Sequence, residues 1–240
     1  MFNGETVLGI IPARGGSKRL PGKNTRLLGG YPLIRWSIEA GGKSKIIDEV
    51  VVSTDSQEIH DVSIECGAKT VVKRPSALAT DGAKSVDVAI HVLKAIQQRG
   101  RQFGYVVLLQ PTSPLRTAKH IDLGFDLFAK VGATAVIGVC KTEKPIDWMG
   151  NLGSDLNMTE MSKKINGPQE KSSRRLNSQI NGAIYIISVS ALLKEKTFFP
   201  NCGSYALLMD RRSSVDIDNE DDFQIASMFM EGRMRRSADE

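Results

Sequence analysis

Short apolar runs alternate along the chain with segments that repeat apolar residues at helical spacing. Each run ends in glycine, proline or polar residues, which is typical of buried strands that lead into loops. The strand-like runs are 6–12, 48–54, 68–75, 105–110 and 134–139. The segments with apolar residues every three or four positions are 31–42, 56–67, 85–100 and 120–132. The first two thirds of the chain are therefore predicted to alternate strand and helix.

This alternation predicts an α/β fold with a doubly wound, mostly parallel sheet that helices cover on both faces. In such sheets ligands bind at the carboxyl ends of the strands. The polar and glycine-rich segments "ARGGSKRLPGKN", "STDS", "KRPSALATD" and "QPTSPLR" all follow predicted strands. We therefore expect a binding site along this one edge of the sheet.

The alternation lapses from 141 to 179, where the chain is rich in glycine, asparagine, serine and charge. This extension is interpreted as a disordered insertion, a lid, or an arm that packs on a second subunit. Beyond it, 180–195 predicts a strand and a helix, and 214–232 predicts a short strand, an acidic turn and a last helix. We expect a single domain over 1–240, with 141–179 as a dimerisation arm or lid.

Composition narrows the class of protein. Hydrophobic residues make up 41% and charged residues 25% of the 240 positions, which is ordinary for a globular protein. No apolar run of about 18 residues predicts a membrane span, and no basic segment precedes the first apolar run, which favours a cytoplasmic location. The net charge of +5 comes without interleaved basic and aromatic residues, so nucleic acid is not an expected partner.

The stretch "IIPARGGSKRLPGKN" (10–24) combines a strand end, glycines and cations, and no acid occurs from Thr6 to Ile38. Glycine backbone N–H groups and basic side chains together make a phosphate site. The GxGxxG pattern is absent. The GxxxxGK[ST] pattern fails because Gly16 to Gly22 is one residue too long and Asn24 replaces the hydroxyl residue. The alternative is a surface turn with solvated charges.

Two carboxylates near the end of the chain form a second candidate site. Asp216 and Asp218 lie two positions apart on a predicted strand, so their side chains are expected on one face. Such a pair suits a Mg²⁺ ion that bridges phosphate oxygens. The alternative is an acidic turn that caps the last helix with the help of Asn219 and Glu220.

Six segments together resemble the acylneuraminate cytidylyltransferases, the CMP-sialic acid synthetases, in the family's order. They are "IPARGGSKRLPGKN", "VVSTDS", "RPSALATDGAKS", "LLQPTSPLR", "NGAIYI" and "SVDIDNEDDF". The resemblance implies a Rossmann-like nucleotidyltransferase fold with a small extension exchanged across a homodimer. It also implies the reaction of CTP with a nine-carbon 2-keto sugar acid, with Mg²⁺ as cofactor, to give a CMP-sugar and pyrophosphate.

The resemblance carries CTP contacts onto individual residues. Arg14 and Lys23 match triphosphate-binding positions, and Lys18 and Arg19 give electrostatic support. Further expected CTP contacts are Gly15, Gly16, Ser17 and Asn24 in the first loop, and Arg74, Ala83 and Ser85 around cytosine. Ser85 is alternatively the N-cap of the following helix.

The resemblance also implies the catalytic, metal and sugar residues. Asp216 and Asp218 are the implied metal ligands, and Asp218 is also the implied proton acceptor, so that the catalytic set is Arg14, Lys23 and Asp218. The implied sugar contacts are Gln110, Asn181, Phe198 and Phe199. For the two phenylalanines, plain core packing is the alternative.

One departure from the family affects the sugar carboxylate. An "RRQD" stretch usually precedes "NGAIYI", but here the sequence reads "EKSSRRLNSQINGAIYI". The carboxylate contact is therefore left open among the basic residues Lys144, Lys171, Arg174 and Arg175, since an ungapped count puts Glu170 and Lys171 at the family's arginine pair. Sialic, legionaminic and pseudaminic acids all remain candidate substrates.

Other classes of protein are considered beside this one. A cytidylyltransferase for 3-deoxy-manno-octulosonate has a similar loop, but Gly15 and Asn24 argue against it. A sugar-1-phosphate nucleotidyltransferase has a different glycine spacing. A non-catalytic nucleotide-binding protein is disfavoured by the presence of Arg14, Lys23 and both aspartates.

Overall fold

A seven-stranded sheet lies at the centre of the chain, in a computed structural model that describes residues 1–167 and 176–238. The strands are β1 (Val7–Pro12), β2 (Leu27–Leu28), β3 (Tyr31–Pro32), β4 (Glu49–Thr54), β5 (Thr70–Lys73), β6 (Tyr105–Leu108), β7 (Ala135–Lys141), β8 (Ser178–Ser188) and β9 (Ser204–Met209). The helices are α1 (Leu33–Gly42), α2 (Gln57–Glu65), α3 (Ser85–Gln97), α4 (Ala118–Val131), α5 (Thr159–Asn166), α6 (Val189–Glu195) and α7 (Glu220–Ala238). None of these helices has both the length and the apolar character needed to cross a bilayer.

The order of strands in the sheet is β5, β4, β1, β6, β8, β7, β9. β1 pairs in parallel with β4 on one side and with β6 on the other. The chain winds outward from β1 through β4 to β5, and then crosses back to β6. Such a reversal opens a crevice beyond the carboxyl ends of the two central strands, where open α/β sheets bind their ligands.

β8 runs antiparallel to both of its neighbours, β6 and β7. Its first residues therefore lie at the edge of the sheet where the parallel strands end. The register between β7 and β8 shifts between Ile137 and Val139, which marks a bulge. Gly182 lies in this stretch of β8 with a φ of +72°, which residues with side chains rarely adopt.

Helices cover both faces of the sheet. Because successive side chains of a strand point to opposite faces, Val7 and Ile11 of β1 pack against α1, α2 and α4, whereas Leu8 and Ile10 pack against α3 and α6. All four side chains are fully buried. The uninterrupted apolar run of β1 thus has its physical reason, and the predicted doubly wound, mostly parallel fold is confirmed.

A third apolar cluster lies outside these layers and joins the two ends of the chain. Phe223, Ala226 and Met230 of α7 pack there with residues from the segment that follows β1. The other buried members are Leu20, Leu28, Leu33, Trp36, Leu115 and Ile217. The last helix therefore holds the glycine-rich loop and the β2–β3 hairpin against the body of the domain.

The pattern of the sequence finds most of these elements, with ends that differ by a few residues. The strand predicted at the start of 214–232 is wrong. Residues 215–218 join no strand, and Ile217 N–H donates to the Thr112 carbonyl in a loop at 2.8 Å. The pattern also does not find β9, whose apolar positions Tyr205 and Leu208 are exposed.

The extension of 141–179 contains regular structure in its described part. A 3₁₀ helix lies at Ile146–Trp148, and α5 follows. Several large apolar side chains of this segment are exposed, namely Ile146, Trp148, Met149, Leu152, Leu156 and Met158. Several large apolar side chains left exposed in one segment are typical of a surface that packs on another chain.

Candidate active site

The glycine-rich loop leaves β1 and passes close to the loop that follows β4. The Gly15 N–H donates to Asp55 Oδ1 at 2.9 Å, and a Cβ on Gly15 would lie only 3.1 Å from Ser56 Cβ. The Asn24 amide, which is almost fully buried, donates to the Arg14 carbonyl at 3.0 Å. Asn24 therefore ties the end of the loop to its beginning and fixes the loop's shape.

A cavity of about 240 Å³ opens between this loop and the carboxyl ends of β1 and β6. The crevice expected from the strand order is thus present. Its wall includes the sequence-predicted residues Arg14, Ser17, Lys23, Asn24, Arg74, Ala83, Ser85, Gln110 and Asp218. The sequence-predicted residues that do not line it are Gly15, Gly16, Asn181, Phe198, Phe199 and Asp216.

The cations of the loop are paired with acids from distant parts of the chain. Asp81 accepts from both Arg14 and Lys18, each at 2.7 Å. Arg19 donates through two nitrogens to the two carboxylate oxygens of Asp218, at 3.0 Å each. The hydrogen bonds from Lys18 and Arg14 hold the pKa of Asp81 below its ordinary value, and Lys18 is the larger cause. The charge that looks unbalanced from Thr6 to Ile38 is therefore balanced in three dimensions.

Lys23 reaches deeper into the site than Lys18. Its Nζ donates to the Ile217 carbonyl at 2.8 Å, which puts the ammonium between the two aspartates that flank Ile217. Burial lowers the pKa of Lys23, and the charges of Asp218 and Asp216 oppose this shift. Lys23 is therefore a cation held beside two carboxylates near the carboxyl end of β1.

Arg74 supports the opposite wall of the cavity. It is 5% exposed and donates to the carbonyl of Ser53 at 2.7 Å and to the Ser53 hydroxyl at 3.2 Å. Burial lowers the pKa of Arg74 to about 10, so the guanidinium stays charged at neutral pH. Its contacts fix it to β4 beside the cavity.

Ser85 lines the same wall but does not cap α3. The helix begins at Ser85 itself, and its N-cap is Lys84, whose side chain makes no capping hydrogen bond. The N-cap interpretation of Ser85 is therefore wrong. Its position on the cavity wall is that of a residue able to contact a ligand.

Asp216 and Asp218 flank the fully buried Ile217 in the extended segment before α7. Burial raises the pKa of Asp216, and the charge of Asp218 raises it further, while a hydrogen bond with Thr112 opposes both. The capping of α7 falls to other residues, because Asn219 Oδ1 accepts from the Asp222 N–H at 3.0 Å and Asp222 Oδ2 accepts from the Asn219 N–H at 3.1 Å. Capping and a carboxylate pair therefore coexist in this segment.

Gln110 and Asp216 approach each other over Gly182. A Cβ on Gly182 would lie 2.7 Å from Gln110 Oε1 and 3.2 Å from Asp216 Oδ2. Glycine is thus required at this point both by its φ and by these two side chains. The bulge of β8 brings the backbone directly beneath the two polar groups.

Asn181 is 2% exposed and its amide is used inside the protein. It donates to the Ser214 hydroxyl at 2.9 Å, and its oxygen accepts from the Ala183 N–H at 3.1 Å. This geometry assigns the side chain to holding the bulge and the segment before Asp216.

Phe198 and Phe199 are not brought to the 240 Å³ cavity. Phe198 is 5% exposed in the core beneath α3 and α6, as the packing alternative predicts. Phe199 is exposed, and its ring meets the ring of Tyr185 edge to face at 5.8 Å between centroids. Burial raises the pKa of the Tyr185 phenol, and the charge of Asp216 raises it further. Tyr185 is therefore close enough to Asp216 to link the phenylalanine pair to the site.

A larger open cavity, of about 1010 Å³, lies on the other side of Asp216. Its wall includes Asn181 and the basic side chains Lys141, Lys144, Arg211 and Arg212. Of the candidates for the sugar carboxylate, Lys144 is therefore beside the site. Glu170, Lys171, Arg174 and Arg175 lie outside the described residues.

Three site residues are missed by the sequence analysis. Asp81 lies inside a recognised segment, but only the folded chain brings it to Arg14. Thr112 supports both Asp216 and Ile217 from the loop after β6. Arg116 is a buried arginine, and its place at the end of "QPTSPLR" is a signal because arginine is rarely buried without a specific set of acceptors.

A glycine-rich cationic loop after the first strand, facing a carboxylate pair across a switch-point crevice, defines an α/β nucleotidyltransferase. The model for the family described as "Cytidylyltransferase" matches residues 8–169. The chain belongs to the cytidylyltransferase family, and it is a nucleotidyltransferase.

Individual relatives agree with this assignment. A CMP-N,N'-diacetyllegionaminic acid synthase of Legionella pneumophila is 36% identical, over 94% of this chain and 96% of the relative. An N-acylneuraminate cytidylyltransferase of Escherichia coli is 33% identical over 97% of this chain, which spans 54% of that longer protein. The structure of a CMP:2-keto-3-deoxy-manno-octonic acid synthetase complexed with CTP covers 95% of this chain and 99% of its own, with a TM-score of 0.72 at 14% identity. That likeness supports the fold.

Proposed function

We propose that this protein transfers CMP from CTP to a nine-carbon 2-keto sugar acid and releases pyrophosphate. The observation that carries the proposal is the crevice that Arg14, Lys18 and Lys23 line together with Asp218, with the charge of Asp216 also acting on Lys23. Phosphoryl transfer requires cations around the phosphates and acids beside the reacting oxygen. The legionaminic acid relative, which matches over nearly its full length, favours an acid of the sialic or legionaminic type.

In this proposal the triphosphate of CTP binds the glycine-rich loop. Arg14 and Lys23 contact its oxygens, Ser17 and the backbone of Gly15 and Gly16 add hydrogen bonds, and cytosine lies against Arg74, Ala83 and Ser85. The phosphates compete with Asp81 for Arg14 and Lys18. Asp81 thus holds both cations near the positions in which the phosphates use them.

Cytidylyltransferases of this kind generally use a divalent metal, and Mg²⁺ is the ion proposed here. Mg²⁺ prefers oxygen ligands and is commonly held by one or two carboxylates together with substrate phosphates. Asp216 and Asp218 fit this preference, and no group of three metal-ligating side chains forms among the described residues. Burial raises the pKa of Asp216, which means that its charge is costly in the fold, and a bound cation would offset that cost. When bound, the ion would neutralise charge on the phosphates.

The chain's own residues orient the attack. The anomeric hydroxyl of the sugar acid attacks the α-phosphorus of CTP, the bond to the bridging oxygen breaks, and pyrophosphate leaves. Asp218 accepts the proton of the attacking hydroxyl in this proposal, and Lys23 stabilises the leaving pyrophosphate. Most of the rate then comes from holding the two substrates in line.

The larger cavity beside Asp216 is proposed to hold the sugar acid. Its volume of about 1010 Å³ is sufficient for a ligand of this size. Lys144 on its wall is a candidate partner for the sugar carboxylate. Gln110 lines the smaller cavity and approaches Asp216 over Gly182, so it is proposed to contact the sugar acid from that side. Phe199, exposed beside Tyr185, is a further candidate contact.

The extension of 141–179 is proposed to pack on a second copy of the chain. Its apolar side chains Ile146, Trp148 and Leu152 are exposed beside the larger cavity, whose wall includes the neighbouring Met149. A second copy would bury these side chains and complete that wall. This gives a single domain with a dimerisation arm.

A pyrophosphate-release assay tests the reaction. It combines CTP, ATP, GTP and UTP with sialic, legionaminic, pseudaminic and 3-deoxy-manno-octulosonic acids, with Mg²⁺ and with EDTA. We expect release only with CTP, Mg²⁺ and a nine-carbon acid. Release with the eight-carbon acid alone would contradict the proposal. So would the absence of release with every one of these acids when the protein is folded.

Lys23→Met and Asp218→Asn separate nucleotide binding from chemistry. Lys23→Met is expected to weaken CTP binding about 10- to 100-fold, the value of a lost charge-assisted hydrogen bond of about 1.5–3 kcal/mol. In calorimetry without Mg²⁺, Asp218→Asn is expected to bind CTP within about threefold of wild type, and with Mg²⁺ it is expected to lose at least about 100-fold in kcat. Lys43→Met, which changes an exposed lysine that does not line the CTP cavity, is the control for Lys23 and should leave the affinity for CTP unchanged. An Asp218→Asn variant with normal turnover would refute the proton-acceptor role.

Asp216→Asn tests the metal site through stability. Because the pKa of Asp216 is raised in the fold, its charge costs stability above that pKa, and protonation removes the cost as the pH falls through it. Without metal, Asp216→Asn should melt above wild type at neutral pH, and the difference should disappear in acid. Millimolar Mg²⁺ should raise the Tm of wild type and leave that of the variant unchanged. An equal Mg²⁺ response in both proteins would place the ion elsewhere.

Sedimentation equilibrium tests the arm. The wild type is expected to be a dimer at micromolar concentration, and Trp148→Glu a monomer with reduced turnover, because a charge would enter the buried interface. Leu193→Glu, which changes an exposed side chain on α6, serves as the control and should remain a dimer. A fully active wild-type monomer would overturn the proposal.

A further inference from the structure

Arg116 is a fully buried charged side chain that the mechanism above does not use. It is 1% exposed, and burial lowers the pKa of its guanidinium to about 9, so it remains charged at neutral pH. Its Nε donates to the Ala183 carbonyl at 3.0 Å, and its Nη2 donates to the Gln110 carbonyl at 3.2 Å and to the Ser37 hydroxyl at 2.6 Å. All of these acceptors are uncharged, so charge pairing does not explain the burial.

The register of the sheet explains why these acceptors need a donor. β6 and β8 pair from Tyr105 opposite Ser188 to Leu108 opposite Tyr185, and there the ladder ends. Continued by two residues on each strand, the same register would put Gln110 opposite Ala183. The two carbonyls that would belong to the next rung both accept from Arg116 instead. The guanidinium therefore bridges the two strands at the point where they separate.

The gap bridged by Arg116 carries the sugar-side groups of the site. The side chain of Gln110 and the backbone of Gly182 are in contact there, and Ala183 N–H donates to Asn181, which in turn holds Ser214. Ser37 of α1 strengthens the same junction, since its hydroxyl donates to the Gln110 carbonyl at 3.3 Å. A small movement of this junction would shift Gln110 relative to Asp216.

We propose that Arg116 is the positioning residue that sets the width of the gap between β6 and β8 and so holds Gln110 and the Asn181–Gly182 bulge at the spacing that the acceptor substrate requires. It acts through backbone carbonyls and touches no substrate itself. The identity of the affected substrate rests on the proposed function, because Asn181 and Asp216 line the proposed sugar cavity and Gln110 approaches Asp216 over Gly182 from the smaller cavity. None of the residues proposed to contact CTP is among the hydrogen-bond partners of Arg116 described above.

The geometry requires arginine and not merely a positive charge. A guanidinium offers donors in several fixed directions within one plane, whereas an ammonium is a single point of charge on a flexible stem. Lysine at this position would retain the charge and lose the simultaneous bridge to the Gln110 and Ala183 carbonyls. Arg116→Lys is therefore the informative substitution.

Two measurements on the full chain test the proposal. Hydrogen exchange should become faster in Arg116→Lys at 109–113 and at 181–184, and unchanged in β1 and β4. In steady-state kinetics the KM for the sugar acid should rise about 10- to 100-fold, as expected for a misplaced contact, with the KM for CTP within about twofold of wild type. Ser37→Ala, which removes one arm of the junction, should change both measurements in the same direction and by less. It also provides the test if Arg116→Lys does not fold.

Phe125→Leu is the matched control for general destabilisation. Phe125 is fully buried in the same layer as Ser37 but packs on Phe2 and Tyr105, away from the site. It should lower the Tm and leave the local exchange pattern and the sugar KM unchanged. If Arg116→Lys behaves like this control, or raises the KM for CTP equally, the proposal is wrong. A wild type that turns over no sugar acid would instead contradict the proposed function, and the exchange measurement would still decide the role of Arg116.

Discussion

The burial of β1 between β4 and β6 is the constraint on which the rest of the structure depends. Both faces of this strand are packed and both edges are paired, so the residue that follows Pro12 leaves the sheet at a fixed point. The chain turns back at this strand, and the wall of the crevice beside it includes the segments that follow β5 and β6 and the segment that carries Asp218. The glycine-rich loop therefore begins from a strand that is packed on both faces and paired at both edges.

Within the crevice, the basic side chains of the glycine-rich loop are held by acids or by a carbonyl of the protein itself. Asp81 holds Arg14 and Lys18, Asp218 holds Arg19, and the Ile217 carbonyl holds Lys23. These contacts lower the cost of collecting like charges in one place and restrict the side chains to a small set of conformations. An anion that binds here replaces these partners around cations that are already positioned. Binding then loses less conformational entropy than it would if the cations first had to be brought together.

The sequence predicts the alternating elements because strand and helix periods are local properties of the chain. It also locates most of the cavity wall, since the loops at the carboxyl ends of parallel strands must share an edge. It does not predict that Asp81 balances Arg14 or that Ser85 leaves the N-cap position to Lys84, and it leaves Phe198 open between sugar contact and core packing. Those outcomes depend on contacts between segments far apart in sequence. The extended stretch around Ile217 is mistaken for a strand because an alternating pattern looks the same with or without a partner strand.

The contact between Lys23 and Ile217 joins residues 194 positions apart. This contact and the packing of α7 on the glycine-rich loop affect how the chain folds during its synthesis. A nascent chain can form the β1–β4–β5 half of the sheet early, because those contacts are close in sequence. It cannot assemble the carboxylates with the cationic loop until Asp218 has left the ribosome. Partly synthesised chains therefore lack both carboxylates, and the complete site forms only when the last part of the chain emerges.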